Sequence, residues 1–422
     1  MSYKKIITCL FIIFFAMSSR AQTISSINID TCLNLATQNY PLAKQKGYLL
    51  ALDENNLKGI DGSWLPQFSL SSRATYQSEV TSFSFPGFPS MIFPKDQYSI
   101  GVQVNQTIYD GGLTKQLKKT EKANTETEIQ KNEVELYKIK DKIVQLYGNI
   151  LLLKENLKVF DNYMDDIKSK KTKITSFLTN GTVLQSNLDV LEAELLKTQQ
   201  KSIEALSNLK VQCQILSLLI NKQVDENTLF MDFPGTEASS VDFSKRPEIK
   251  LLDLQQNLLT EKMELSYRKT LPHLSVFGDG AYGRPGYNFL NQNLRVYGMG
   301  GLSLMWNISG LYNLPYERKN LKINKNIIDE QKELFDLNIK SSMIQENAEI
   351  DKLRQLIAID KSIIEKRKSI TKNAADQLDH GSITSTDYLT ELNAEKQAIL
   401  NQRMHEIQLG IAFRNFRITT GN

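Results

Sequence analysis

The chain says nearly the same thing twice. Pro41 and Pro66 recur 206 residues later as Pro247 and Pro272, so each pair keeps the same 25-residue separation. Trp64-Leu65-Pro66-Gln67-Phe68-Ser69-Leu70 is echoed by Thr270-Leu271-Pro272-His273-Leu274-Ser275-Val276. In each copy a helical run leads into Leu-Pro, alternating strand-like sequence follows, and a very long helical run comes next. A length of 422 residues would otherwise suggest two or three separate domains. The duplication restricts the chain to two copies of one helix–strand–strand–helix unit, over 22–222 and 246–422, joined by a linker at 223–245.

The N-terminus reads as an export signal. Lys4-Lys5 supply the positive end, Ile6 to Ala16 the apolar segment, and Ser19-Arg20-Ala21 the small-x-small cleavage pattern. Residues 1–21 are therefore expected to be removed. The formal charge is +4, but without Lys4, Lys5 and Arg20 the chain has 48 basic against 47 acidic residues, which leaves no footprint for nucleic acid. Cys9 lies in the leader. Cys32 and Cys213 lack metal-ligand spacing and read as two buried, inert thiols, with a disulfide as the alternative in an oxidising compartment. Past the leader no apolar stretch reaches spanning length. A bilayer could then be crossed only by a closed β-barrel, because in lipid every backbone polar group must be paired.

Between Leu113 and Leu178 there is no proline, and only Gly148 interrupts. Such a run reaches on the order of 100 Å. Ile139, Ile143, Leu146, Ile150, Leu153, Leu157, Phe160, Met164, Ile167, Ile174 and Leu178 step alternately by four and three, broken only at Lys171. That spacing predicts left-handed coiling against partner helices. The chain turns at Asn180-Gly181-Thr182 and returns over 183–222 on a stripe from Leu184 to Leu219, with Thr198, Ser202 and Gln212 as polar members. Helices joined by so short a turn pack antiparallel. The second copy predicts helices over 315–378, with Leu356, Ile359, Ile363 and Ile370, and over 384–418, with Leu400, Met404, Ile407 and Ile411. Its turn is His380-Gly381-Ser382. A soluble periplasmic coiled-coil tether is the alternative that the helices alone leave open.

Strands are expected over 67–80, 97–109, 273–283 and 294–306. Tyr98, Ile100, Val102, Val104, Gln106 and Ile108 alternate with Ser99, Gly101, Gln103, Asn105 and Thr107. This is period two, with one apolar and one polar face. Segments of about ten residues suit a tilted transmembrane barrel. A soluble sandwich with one buried face fits the same periodicity; on the barrel reading, four strands cannot close a useful bore, so several copies must contribute. The Phe- and Pro-rich stretch Thr81 to Asp96 and the stretch Gly283 to Asn293 read as loops that pack over the barrel mouth. Three scattered histidines (His273, His380, His405) read as surface or loop residues. No nucleophile elbow, phosphate loop or metal pair appears, so neither an enzyme nor a cofactor is expected.

The duplicated layout, the Leu-Pro step into each first strand, Tyr109-Asp110-Gly111-Gly112 and Gly181-Thr182-Val183-Leu184 together resemble the TolC family of outer-membrane efflux proteins. Trp306-Asn307-Ile308-Ser309-Gly310 stands in the second copy where the first has Tyr-Asp-Gly-Gly. The resemblance covers essentially the whole mature chain. It implies an α+β membrane protein, a homotrimer whose twelve-stranded transmembrane β-barrel continues into a long α-helical coiled-coil tunnel across the periplasm. It also implies an exit duct of a tripartite efflux or type I secretion system, with outer-membrane lipid, a periplasmic adaptor and an inner-membrane transporter as partners. Asn180, Gly181, Thr182, His380, Gly381 and Ser382 would be the adaptor-contacting turns. Asp387 matches the family's acidic gate, which would favour cations; Asn187 takes its place in the first copy, with Asp189 two further on. The family's basic latch position is Ile383 here. Two plainer readings stand beside these: Asp387 stabilising the macrodipole of a first helical turn, and Thr182 with Gln185 forming a capping box.

Overall fold

The computed structural model describes residues 26–80, 82–84, 86–87, 91–235 and 243–421. The expected leader lies outside them, as do Phe85, Phe88 and Pro89 of the first loop. The chain divides into two compact units, and each draws on both repeats.

The unit formed by Lys46–Lys131 and Lys250–Glu333 holds an antiparallel sheet. Its strands are β2 (Gln67–Tyr76), β5 (Asp96–Tyr109), β7 (His273–Arg284) and β8 (Arg295–Met305), in the order β2-β5-β7-β8. The first strand stops four residues short of its expected end. Two short strands, β3 (Ser82–Phe83) and β4 (Met91–Ile92), pair within the β2–β5 loop. Register explains the alternation. Leu70 pairs with Val102, Val102 with Gly280, and Gly280 with Gly298, while Phe68 pairs with Val104 and Val276 with Leu302. Directly paired residues share a face, so the even-numbered apolar side chains form one continuous surface. The opposite face carries the row Ser69, Gln103, Asp279 and Met299. Among the described residues of the unit none covers the apolar face: Leu70 is 74% exposed, Val296 78% and Leu304 71%.

Each strand is continuous with one helix: α2 (Pro41–Asp61) leads into β2, α3 (Leu113–Thr179) follows β5, α5 (Pro247–Arg268) leads into β7, and α6 (Gly310–Asp379) follows β8. Side chains tie these helices in the same order as the strands. Lys118 of α3 pairs with Asp61, and Asn56 Nδ2 donates to Glu121 at 2.6 Å. Gln116 Nε2 donates to Glu261 Oε2 of α5 at 2.5 Å, and Lys332 of α6 pairs with Asp253 of α5 at 2.7 Å. The sheet order thus passes directly into a single helical layer. Helix α6 begins five residues before Pro315, so Pro315 lies inside the helix and leaves the Leu311 carbonyl without its i+4 N–H donor.

The other unit comprises Met1–Gln45, Asn132–Ile249 and Leu334–Asn422. It contains α1 (Ile29–Asn39), the distal parts of α3 and α6, and the return helices α4 (Gln185–Ile220) and α7 (Ser385–Thr419). The 223–245 segment is more than a linker, because β6 (Leu229–Phe230) pairs in parallel with β1 (Ser26–Ile27). The main core gathers Ile143, Tyr147, Ile150, Leu209, Leu216 and Ile407. Ile139, Ile143, Leu146 and Ile150 are buried as the heptad pattern predicts, and Val144, Tyr147 and Leu151 are buried beside them, so α3 is covered on two flanks. Cys32 and Cys213 are free and buried in this core. Burial pushes the Cys32 thiol up to about 12 and the Cys213 thiol up to about 11, so both stay protonated at neutral pH.

The second long helix corrects one expectation. Its buried seam runs through Ile350, Leu353, Asp360, Ile364, Thr371, Ala374 and Leu378. The anticipated stripe lies alongside: Ile359, Ile363 and Ile370 are exposed. Both stripes have heptad spacing, and polar members of the buried one are satisfied by α7. His405 Nδ1 lies 2.6 Å from Asp360 Oδ2, Arg367 donates to Glu391 at 3.0 Å, and the Thr371 hydroxyl donates to the Glu391 carbonyl at 3.2 Å. His405 is therefore an interhelical partner and not a surface residue.

Tyr147 anchors the β1–β6 pair. Its hydroxyl lies 2.6 Å from the Met231 carbonyl and 3.0 Å from that of Ile27, with the ring against Phe230 and Phe233. Tyr147→Phe keeps the ring but takes the hydroxyl donor from the Met231 carbonyl, while the Ile27 carbonyl still accepts from Met231 N–H; the loss should cost about 1–3 kcal/mol. Denaturant unfolding followed by circular dichroism should show a lower midpoint at unchanged slope.

Candidate functional site

The two helix turns lie at one end of the helical unit and are built alike. Gly181 (φ 70°) and Gly381 (φ 71°) adopt the left-handed conformation. Gly181 N–H donates to Leu178 and Thr182 N–H to Phe177; Gly381 N–H donates to Leu378 and Ser382 N–H to Gln377. These paired bonds are the Schellman arrangement that satisfies the last carbonyls of a helix. A Cβ at either glycine would meet nothing within 4 Å. The demand for glycine is set by the backbone angle alone.

Beyond the turns the copies diverge. Thr384 caps α7: its Oγ1 accepts from Asp387 N–H at 3.2 Å, and Asp387 Oδ2 accepts from Thr384 N–H at 3.0 Å. This reciprocal box uses Asp387 structurally. The bonds from Thr384 hold the Asp387 carboxyl below the usual range, so it is charged at neutral pH, and the residue is exposed. The box expected of Thr182 and Gln185 does not form. The residue preceding α4 is Leu184, without a side-chain cap, while the Thr182 hydroxyl bonds back to the Phe177 carbonyl at 2.8 Å and Gln185 donates to Asp189 at 2.8 Å. Thr182 stands two residues too early, because the glycine turn has already engaged it. Asn187, the counterpart of Asp387, reaches across to the other return helix, where its Oδ1 accepts from Ser385 N–H at 3.0 Å. One copy caps itself and the other caps its neighbour.

Under the turns, Tyr163, Ile167, Ile174, Leu191, Leu378 and Tyr388 form a second core. Sequence reasoning missed the charged cluster at its edge. Asp379, the last residue of α6, accepts from Lys170 and Lys173 of α3, both at 2.8 Å. Lys170 also donates to the Ala375 carbonyl at 3.1 Å and lies over the Tyr388 ring. Two cations at a helix C-terminus also answer its macrodipole. Neither lysine stands out along the chain, since the helix surface is rich in lysine throughout. His380 Nδ1 lies 2.6 Å from the Asp376 carbonyl. Among the described residues no group of His, Cys, Asp or Glu is arranged to hold a metal ion.

No family model and no curated protein sequence matches the chain. Solved structures do. The outer-membrane channel CmeC of Campylobacter jejuni superposes with a TM-score of 0.68 at 16% identity, over 96% of this chain and 90% of its own. The outer-membrane protein VceC of Vibrio cholerae gives 0.65 at 11%, over 93% and 96%. The open state of the outer-membrane channel MtrE of Neisseria gonorrhoeae gives 0.67 at 10%, over 93% and 89%. The chain has the outer-membrane-channel fold. At these identities the likeness is one of backbone, and it extends over both repeats, as the resemblance to the TolC family implies.

The Asp379 cluster makes this end of the fold sensitive to acid. Burial raises its carboxyl pKa, but the bonds from Lys170 and Lys173 outweigh that and hold it below the ordinary value of about 3.9. A depressed folded-state pKa contributes stability that is complete above the unfolded value and lost as pH falls through the folded one. Below about pH 4, hydrogen exchange at residues 370–390, taken relative to the unprotected-peptide rate at the same pH, should accelerate. In Asp379→Asn it should be faster already at neutral pH and should lose that acid dependence.

Proposed function

We propose that the chain is the exit duct of a tripartite efflux or type I secretion system, lodged in the outer membrane and reaching into the periplasm. The observation that carries this reading is the uncovered apolar face of a sheet whose two outer strands, β2 and β8, each have a partner on one side only. Water does not tolerate such a surface with open edges, whereas a lipid-embedded closed barrel removes both problems. Three copies of four strands close the barrel, β2 of one against β8 of the next, with the apolar face to lipid and the Ser/Gln face to the bore.

The helices follow the same rule. Those continuous with the outer strands are α2 and α6, and both leave apolar side chains bare: Tyr48 and Leu52 on one, Ile323 and Ile327 on the other. In the other unit Ile359, Ile363 and Ile370 of α6 form a further exposed stripe. Neighbouring copies cover these stripes and complete a hollow α-helical tunnel. The glycine turns form its periplasmic tip, where Asn180, Gly181, Thr182, His380, Gly381 and Ser382 meet an adaptor that also holds an inner-membrane transporter. Asp387, with Asn187 and Asp189, lines the constriction. Cargo passes without chemistry, and the duct works without a cofactor.

Detergent extraction tests the reading. The mature chain should leave the membrane only with surfactant and run as a trimer by light scattering. Leu302→Arg places a charge on the lipid face and should cost about 2–4 kcal/mol near the bilayer middle, seen as loss of assembled trimer. A freely soluble monomer overturns the reading.

A further inference from the structure

The charges of the sheet are few and unevenly placed. The strands carry Arg73, Asp96, Asp279, Arg284 and Arg295. Asp96 and Arg284 pair with each other, and the Arg284 guanidinium lies over the Tyr98 ring. Arg73 and Arg295 fall in one transverse row, Arg73–Ser99–Gly283–Arg295, on the polar face. Both sit at the loop end: Arg73 is three residues from the end of β2, and Arg295 begins β8. Neither has an ion pair among the described residues. Asp279, the one carboxylate on that face, lies four residues deeper, about 13 Å along the strands.

The β7–β8 loop folds over this polar face. The Tyr287 ring packs edge-on against Tyr297 at 5.1 Å, and Tyr297 shares its row with Ser71, Gly101 and Ala281. Gly286 lies so close that a Cβ there would come within 3.0 Å of Tyr297 and 3.2 Å of Arg295 Nε. That Nε is shut off from solvent with no acceptor among the described residues. Phe289 stacks on Phe93 at 6.0 Å, Phe93 meets Phe83 at 6.2 Å, and Gln292 Nε2 donates to the Ile92 carbonyl at 3.1 Å. The two loops of one chain are thus joined into a cap that leans toward the polar side and holds Arg295 beneath it.

We propose that Arg73 and Arg295 form an anion filter at the outer mouth of the bore. The inference rests on the duct reading, which turns the polar face inward and the loop end outward. Three copies then bring six guanidinium groups to a rim narrowed by the loops; on the polar face no strand carboxylate is level with them, and Asp96 at the same end is taken up by Arg284. Low-dielectric walls focus such a field, and guanidinium keeps its charge at any physiological pH. The rim should admit anionic solutes, and anionic groups on larger cargo, ahead of cations.

Zero-current potentials of the full-length trimer in planar bilayers, under a KCl gradient, test this. Arg73→Gln/Arg295→Gln should lower the chloride-to-potassium permeability ratio by about threefold or more at low salt, and the shift should shrink in 1 M salt, where screening reaches about 3 Å. Arg73→Lys/Arg295→Lys should keep the ratio, because charge and not guanidinium shape is at work. A double glutamine variant that assembles and conducts with an unchanged ratio overturns the filter and leaves the duct standing. A wild-type chain that neither assembles into a trimer nor inserts into the bilayer overturns both.

Discussion

Apolar side chains that their own chain cannot cover set the terms for everything else here. One face of the β2-β5-β7-β8 sheet is bare, and its two edges are unpaired. The helices continuous with the strands do not fold back over that face, because they run out as a layer in the same order. On the proposed duct reading the burial comes from outside the chain, from lipid on the sheet and from further copies at its edges. The helices inherit the condition, since α6 buries one heptad stripe against α7 and leaves a second bare beside it.

Duplication and symmetry are not the same thing at the turn end. Both glycine turns use the same left-handed residue and the same pair of backbone bonds. Past them, Asp387 closes a box with its own Thr384, whereas Asn187 spends its carbonyl oxygen on Ser385 N–H of the other copy. A carboxylate and an amide at equivalent positions therefore do different work. The Lys170–Asp379–Lys173 cluster belongs to one side only. The turn end of the helical unit is accordingly asymmetric in charge, and the two turns present different surfaces.

Much of the architecture was legible along the chain, and the errors have a common origin. Strand phase could be read because period two leaves only two choices, and Arg73 with Asp279 marks which face is polar. Helix ends could be read from Gly181 and Gly381. The seam of α6 was misplaced because two adjacent heptad stripes, one through Ile350 and Leu353 and one through Ile359 and Ile363, satisfy the same spacing. Asp360 and Thr371 disguised the buried one, since their partners, His405 and Glu391, come from another helix. Thr182 was assigned to a cap for the same reason: spacing cannot tell whether a hydroxyl is already engaged by the preceding turn.

Local physics was settled by the order of residues: where helices stop, which strand face is apolar, and how long each element runs. These depend on neighbours within a few positions, so they are written in periodicity and turn chemistry. Tertiary structure decided which of two equivalent stripes is buried, that Asn187 caps a helix 198 residues away, and that Arg284 is neutralised by Asp96 while Arg73 and Arg295 are not. Those outcomes depend on which distant segments come to lie side by side, and no spacing within one segment contains that information.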